Sequence, residues 1–508
     1  MTVLKDLKAK QSRAAQVRSQ LDYPVIDTDI HTNAYSPALE DYIAQYGGSR
    51  VVDVFRSHLK SNGLNALAAE WYNASPEERK NRRLFRPPFW ALPSENTYDL
   101  ATVALPGLLY ERLEELGTDY TVLYPNLSLF PINSSNDDLR LSLTRAINHF
   151  HADIYQPYAD RLTPVAAIPL NTPQEGIEEL EFAQKLGLKA ALIPGSVRRP
   201  IQAVAEKYPE DTDLRRYAYW LDFFGIDSEY DYDPFWQKSV DLGINLSTHS
   251  GSQSWVARNS PSNYMFNHIN HINHINHFAD ASEALAKALF FGGVTERIPQ
   301  LRIALLEAGA AWGQNVLTHL VDRFEKRGNE HVQQYNPERL NRELALELYR
   351  QYGHTLYQGR ELNEAEIIES LFGVASTSRF QTQNPAEIND FALAKIQNKQ
   401  DIWDRWVPNF YFGNEADDRT IVGALNPKGN PFGKKINALY SSDSGHWDVP
   451  ELTEPLAETW DLVQEGAITA EDFKALVFTN PYQFYTANNP DFFKGTQVEH
   501  KLKNNQAA

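Results

Sequence analysis

Short runs of β-branched and apolar residues recur along the chain, each ending in polar or turn residues. They are VIDTDIHT (25–32), DYTVLYPN (119–126), RLTPVAAIPL (161–170), LKAALIPG (188–195), GINLSTHSG (243–251), LRIALLEAG (301–309), NFYFGNE (409–415) and INALYSSDSGH (436–446). Helical periodicity fills most of the gaps, over 139–155, 174–186, 281–291 and 312–327. Two further helices, 453–465 and 470–477, follow the last strand. Thr469 is set to cap the second, with Asp472 completing an imperfect capping box.

Strands alternating with helices mean a parallel sheet. Eight such strands predict an α/β fold of the (β/α)8 TIM-barrel type, which takes about 250 residues. The 508 residues leave a surplus, read as large, mostly helical insertions near 33–118, 196–235, 252–280 and 328–408. The expected organisation is an N-terminal arm over 1–24, one decorated barrel over 25–480, and a C-terminal tail over 481–508. The arm reads as a short exposed helix ended by Pro24. A doubly wound open sheet is the alternative, but no G-x-G-x-x-G follows the first strand.

Composition narrows the function. The net charge of −18 argues against nucleic acid or an anionic membrane as partner. With no cysteine, disulfides, thiolate ligands and a cysteine nucleophile are excluded, and a cytoplasmic, reducing location is expected. No apolar run approaches the ~20 residues of a membrane span, and the basic N-terminus lacks the apolar core of a secretory signal. The expected partners are a small-molecule substrate and a second copy or related subunit.

Barrel enzymes gather their reactive groups at strand C-termini. There this sequence places Asp29 and His31 on one face of the first strand, His249 after the fifth, Glu307 after the sixth, Glu415 after the seventh and Asp443 after the eighth. Imidazoles and carboxylates from several strands suit one or two divalent ions.

Three segments sharpen this: VIDTDIHT, FFGGVTERIPQLRIALLEAGAAW and ALYSSDSGHWDVP. With His249 in THSG, they resemble the long form of the amidohydrolase-2 branch of the amidohydrolase superfamily, which includes hydrolases and aromatic-acid decarboxylases. The resemblance implies that Asp29, His31, His249, Glu307 and Asp443 hold metal, and that Asp443 moves a proton. His446 is a candidate acid or base beside it. Asp29 and Glu307 stand where many members have histidine. The more anionic set shifts preference from zinc toward manganese or iron, with zinc retained as a candidate. The lysine that bridges two metals in some members is missing after the fourth strand, and Glu307 could bridge instead.

The repeat NHINHINHINHF (267–278) spaces His268, His271, His274 and His277 by three residues. On an α-helix each step turns about 300°, so the four do not share one face. The related long members carry a single NHxxHF here, so the repeat reads as a triplet duplication in which His274 or His277 reaches the metal or substrate. Trp447 is expected to pack on the barrel rim, Asp417 and Asp418 to cap a turn, and Arg86, Arg198 and Arg199 to lie at the surface. The aromatic segments 85–90 and 217–232 are read as a pocket lining or a subunit interface.

The expected activity is metal-dependent hydrolysis of a small organic substrate. Non-oxidative decarboxylation, oxygenation by iron or manganese, and a non-catalytic role are the alternatives.

Overall fold

The computed structural model describes residues 12–33, 37–60, 71–82, 84, 92–129, 131–134, 136–211, 214, 218–249, 276–361, 363–372, 388–392 and 394–507. The chain divides into two compact units, Thr318–Ile402 and the remainder.

The larger unit is the barrel. Its strands are β1 (Ile26–Thr32), β2 (Tyr120–Pro125), β3 (Leu162–Pro164), β4 (Ala166–Ala167), β5 (Ala190–Ile193), β8 (Asn245–His249), β9 (Ile303–Leu306), β10 (Phe410–Asn414) and β11 (Ala438–Tyr440). An antiparallel hairpin, β6 (Val197–Pro200) and β7 (Tyr219–Asp222), projects after β5. One sheet runs β1-β2-β3 and a second β4-β5-β8-β9-β10-β11. Only Val165 separates β3 from β4, so these are one barrel position. A parallel bridge between Ile30 and Ser444 closes the ring, reinforced by the Thr28 hydroxyl donating to the Tyr440 carbonyl at 2.8 Å. Among the described residues the result is eight parallel strand positions in a closed circle, as the alternating pattern predicts. The barrel strands are buried on both faces, as parallel strands under helices must be.

Alternate strand residues fill the interior, among them Ile26, Val122, Tyr124, Val165, Leu192 and Leu306. Phe484, Tyr485, Phe492 and Phe493 join the same cluster from the C-terminal segment. The expected tail is therefore a packed element: helices Asn480–Thr486 and Gln497–Ala507 flank an aromatic plug. The Lys189 ammonium donates to the Phe492 carbonyl at 2.6 Å, and burial pushes its pKa down to about 8.

The N-terminal helix is docked rather than exposed. Over Arg13–Ser19 it buries Ala14 and Val17. Arg13 pairs with Glu454 and Asp461, and Arg18 donates to Asp119 at 2.7 Å. Asp119 also accepts from the Val25 amide and pairs with Lys501, so one buried carboxylate clasps both chain ends to the start of β1.

The predicted helices form close to their expected bounds, at Asp137–Tyr155, Pro173–Lys185, His277–Phe291, Ala311–Arg327 and Pro455–Gln464. Both capping-box bonds between Thr469 and Asp472 are present.

The smaller unit, Thr318–Ile402, covers most of the helical insertion expected over 328–408. Helices Arg342–Tyr352 and Glu364–Phe372 pack on each other there, and Phe324 meets Phe391 edge to face. Phe324, Val332, Ala345, Ile367 and Phe391 are buried there, while Leu344, Leu348, Leu356 and Leu371 are exposed.

Candidate metal centre

The site begins with an irregularity in β1. Its pairing with β2 slips between Asp27 and Ile30. Before the slip Ile26 points into the barrel core, whereas Ile30 joins a different cluster, with Leu109 and Leu113. The slip changes the alternation, so Asp29 and His31 turn inward where strict period two from Ile26 would turn them out.

These two side chains meet His249, the last residue of β8, and Glu307, Asp443 and His446, which follow β9 and β11. All six are buried. His31 Nε2 lies 3.4 Å from Asp29 Oδ1 and 3.1 Å from Asp443 Oδ1. His249 reaches Asp29 Oδ1 through Nε2 at 3.2 Å and Glu307 Oε2 through Nδ1 at 3.3 Å. His446 Nδ1 is 2.8 Å from both Glu307 Oε1 and Asp443 Oδ1. The ligand-type atoms form two tight groups that share His31. One is His31, Glu307, Asp443 and His446; the other is Asp29, His31 and His249. Glu307 faces both, with one oxygen toward His446 and the other toward His249.

The backbone here is unusual. Glu307 and Asp443 both have left-handed φ, 54° and 52°, a conformation that costs a non-glycine residue energy and persists where the surroundings demand it. Gly445 has φ 102°, and a Cβ there would fall 2.2 Å from the His31 carbonyl oxygen. Only glycine lets the strand-8 loop lie this close to β1.

A metal fits these residues. Both Asp29 oxygens, both nitrogens of His31 and of His249, and Asp443 Oδ1 are buried with no hydrogen-bond partner among the described residues. Buried polar atoms left this way are costly, and a cation held among them relieves the cost. Oxygen and imidazole donors without sulfur suit manganese, iron or zinc.

The electrostatics agree. Burial alone would lower the His249 imidazole, but Asp29 and Glu307 outweigh it and push it up to about 10. Burial would raise Glu307, yet His249 and His446 hold it well below the usual carboxylate range. Burial, then Glu307 and Glu415, pushes Asp443 well above that range. Burial, then His446 and His249, holds the His31 imidazole well below its usual range, so it stands as a neutral donor at the heart of the group.

The centre opens on a cavity of about 410 Å³ lined by Phe278, Glu307, Trp312, Glu415, Trp447 and Asp448, among others. Glu415 belongs to this wall and not to the ligand groups; burial, then the nearby Glu307 and Asp448, pushes its carboxyl well up. Trp447 stacks on His446 with ring centroids 4.7 Å apart and also lines the cavity, a larger role than rim packing. Asp418 Oδ1 accepts from the Thr420 amide and hydroxyl, as a turn cap should.

Arg199 is not at the surface. It is buried in the hairpin, bonded to Asp222, the Tyr232 hydroxyl and the Asn171 carbonyl. His277 opens the helix that follows the histidine repeat. His268, His271 and His274, with Arg86 and the 85–90 aromatic segment, lie outside the described residues.

Three contributors escaped the sequence reading. Tyr124 sets its ring 4.5 Å from His249 and donates to Ser247 at 2.8 Å. Asn126 follows β2 and bonds His446 Nε2 at 3.0 Å; a polar residue at a strand end was signal enough to find it. Asp27 Oδ1 accepts from the Asp29 and Ser442 amides, both at 3.1 Å, tying β1 to the strand-8 loop.

Burial pushes the Asp27 carboxyl up to about 7. Between ~3.9, its unfolded value, and that point, the folded protein keeps a proton the unfolded chain has lost. The resulting stability is full below the unfolded value and fades as pH rises, by on the order of 4 kcal/mol in all. Asp27→Asn keeps the accepting oxygen and cannot ionise, so metal-free variant and parent should diverge in denaturation midpoint between about pH 4 and about pH 7. Parallel pH profiles would refute the assignment.

No family model matches the chain, and no curated protein matches it. Solved structures do. An amidohydrolase from Mycobacterium avium subsp. paratuberculosis K-10 is 12% identical, with 92% of this chain and 100% of that one aligned at a TM-score of 0.50. A dihydroxybenzoic acid decarboxylase from Polaromonas sp. JS666, solved with manganese and 2-nitroresorcinol, is 13% identical over 93% and 99% at 0.45. A 5-carboxyvanillate decarboxylase from Sphingomonas paucimobilis is 12% identical over 91% and 98% at 0.46. The first likeness establishes the fold, a TIM-type barrel carrying insertions. Among the described residues, no helix is long and apolar enough to cross a membrane.

Proposed function

We propose that this protein is a metal-dependent hydrolase of a small organic molecule. The observation that carries the reading is the convergence of Asp29, His31, His249, Glu307, Asp443 and His446 on one buried point, with seven ligand-type atoms unbonded among the described residues. They hold the ion at the strand C-termini, where barrels do their chemistry. A divalent ion there supplies Lewis acidity toward a water or a substrate oxygen.

The chain's own groups do the rest. Asp443 Oδ1 faces the centre beside His31 and His446, and with the ion's charge offsetting its raised affinity for a proton it would take, then return, a proton at that oxygen. Glu415 holds a proton at the cavity wall and presents it as a hydrogen-bond donor, as a buried carboxylic acid does. Trp312 and Trp447 give the cavity flat apolar surface that orients a substrate and displaces water.

The wall favours hydrolysis over decarboxylation. Its described acidic residues are Glu307, Asp418, Asp448 and the protonated Glu415, with no basic residue among the described lining. A neutral ester or amide meets less repulsion there than a carboxylate does.

The test starts with elemental analysis of the purified protein. Chelated and reconstituted samples are then assayed on ester, amide and lactone panels. Metal-restored hydrolysis is the expected result. A protein that binds no divalent metal, or that releases carbon dioxide or consumes dioxygen in place of hydrolysing, would overturn the proposal.

A further inference from the structure

The wall of the cavity carries a chemistry that hydrolysis of a neutral substrate leaves unused. Beyond Glu307, its described lining joins the aromatic rings of Phe278, Trp312 and Trp447 to the carboxyl groups of Glu415, Asp418 and Asp448. No lysine, arginine or histidine stands among the described lining. The carboxyl groups are short of partners. No described residue gives the side chain of Glu415 or Asp448 a hydrogen bond or an ion pair. Asp418 commits Oδ1 to the Thr420 amide and hydroxyl. Its Oδ2 lies against Gly309, another residue of the wall, where a Cβ would strike it. Glu415 matters most, because burial withdraws its carboxyl from water. A desolvated polar group without a partner costs free energy until a ligand supplies one. A protonated carboxyl still accepts at its second oxygen.

Both halves of this wall present electron density to an occupant. Carboxylates only accept, and the face of an aromatic ring is negative. A divalent ion would not cancel that field, since Asp29, Glu307 and Asp443 meet its charge within the centre itself. The net charge of −18 adds a longer-range pull on cations, which a cleft lined by one sign of charge focuses. A bare inorganic cation would use the carboxylates and leave the indoles idle. An organic ammonium uses both, with its charge toward the carboxylates and its carbon-clad surface on the rings.

We propose that the cavity selects a substrate that carries an organic ammonium group, recognised by Glu415, Asp418 and Asp448 together with the indoles of Trp312 and Trp447. That such a molecule is hydrolysed rests on the reading above; the preference for the ammonium does not.

The test uses the full-length protein reconstituted with metal and two probes of one shape, choline and neohexanol, in which carbon replaces the nitrogen. Binding is followed by calorimetry. Choline should bind about tenfold more tightly, the order that a desolvated cation–π contact supplies. The margin should shrink as salt screens the carboxylates. Asp448→Asn should cut it about 2–5-fold and leave neohexanol affinity where it was. Equal affinities, a tighter neohexanol or no binding of choline would overturn the proposal. Should Asp448→Asn fail to fold, the parent's probe pair and its salt dependence decide. The acetate esters of the two alcohols separate this inference from the one it builds on. Cleavage of both at equal kcat/KM ends the ammonium preference and keeps hydrolysis. Tighter binding of choline with neither ester cleaved keeps the preference and counts against the hydrolase.

Discussion

Alanine at Asp29 or at His249 should strip the protein of its divalent ion and leave the barrel folded. The pairs His249 makes with Asp29 at 3.2 Å and with Glu307 at 3.3 Å lie within the centre itself, so the barrel's apolar interior does not depend on them. The metal loses a donor outright, so affinity should fall by more than the about 10–100-fold that loss of a supporting residue costs. Elemental analysis and chelator competition measure this, with circular dichroism as the check on folding. The parent should also melt higher with metal than without, by about 4 kcal/mol of added stability at a thousandfold excess over the dissociation constant. Both variants should lose that increment. Unchanged metal content in the two would remove the assigned site.

Asp443→Asn separates proton transfer from architecture. Asparagine tolerates the left-handed φ of 52° at this position about as well as aspartate. Its amide keeps the shape and one coordinating oxygen but has almost no basicity. Hydrolysis should therefore drop by at least the ~10²–10⁴ that general acid–base catalysis contributes, with metal still bound. A small effect on rate with metal retained would make Asp443 a structural residue. Asp443→Ala is the poorer test, because it removes the coordinating oxygen along with the base.

Much of this was legible in the linear pattern. Buried parallel strands are continuous apolar runs, and their ends are marked by the change to polar residues. VIDTDIHT, LLEAG and SSDSGH thus announced both a strand and the ligand-type side chain after it. Thr469 and Asp472 announced a capping box for the same reason, since the bonds lie within three residues. Local pattern reports local physics well.

Other features needed the third dimension. The slip in β1 that turns Asp29 and His31 inward depends on pairing with β2, about ninety positions away. Arg199 looked like a surface cation until Asp222 and Tyr232 surrounded it. The C-terminal segment looked like a tail because its aromatic residues lack a helical or strand period; their partners are Tyr120 and Tyr411 of the barrel.

By itself, then, the sequence determined the eight-strand alternation, the acidic and cysteine-free character, and the side chains presented at the strand ends. Those follow from backbone periodicity and residue chemistry, which act over a few neighbours. Only the tertiary structure decided that six of those side chains share one buried point, that Glu307 faces both ligand groups, and that Asn126 stands behind His446. Barrel closure sets those distances by joining β1 to the segment after β11, and no spacing along a chain encodes a contact between residues some four hundred positions apart.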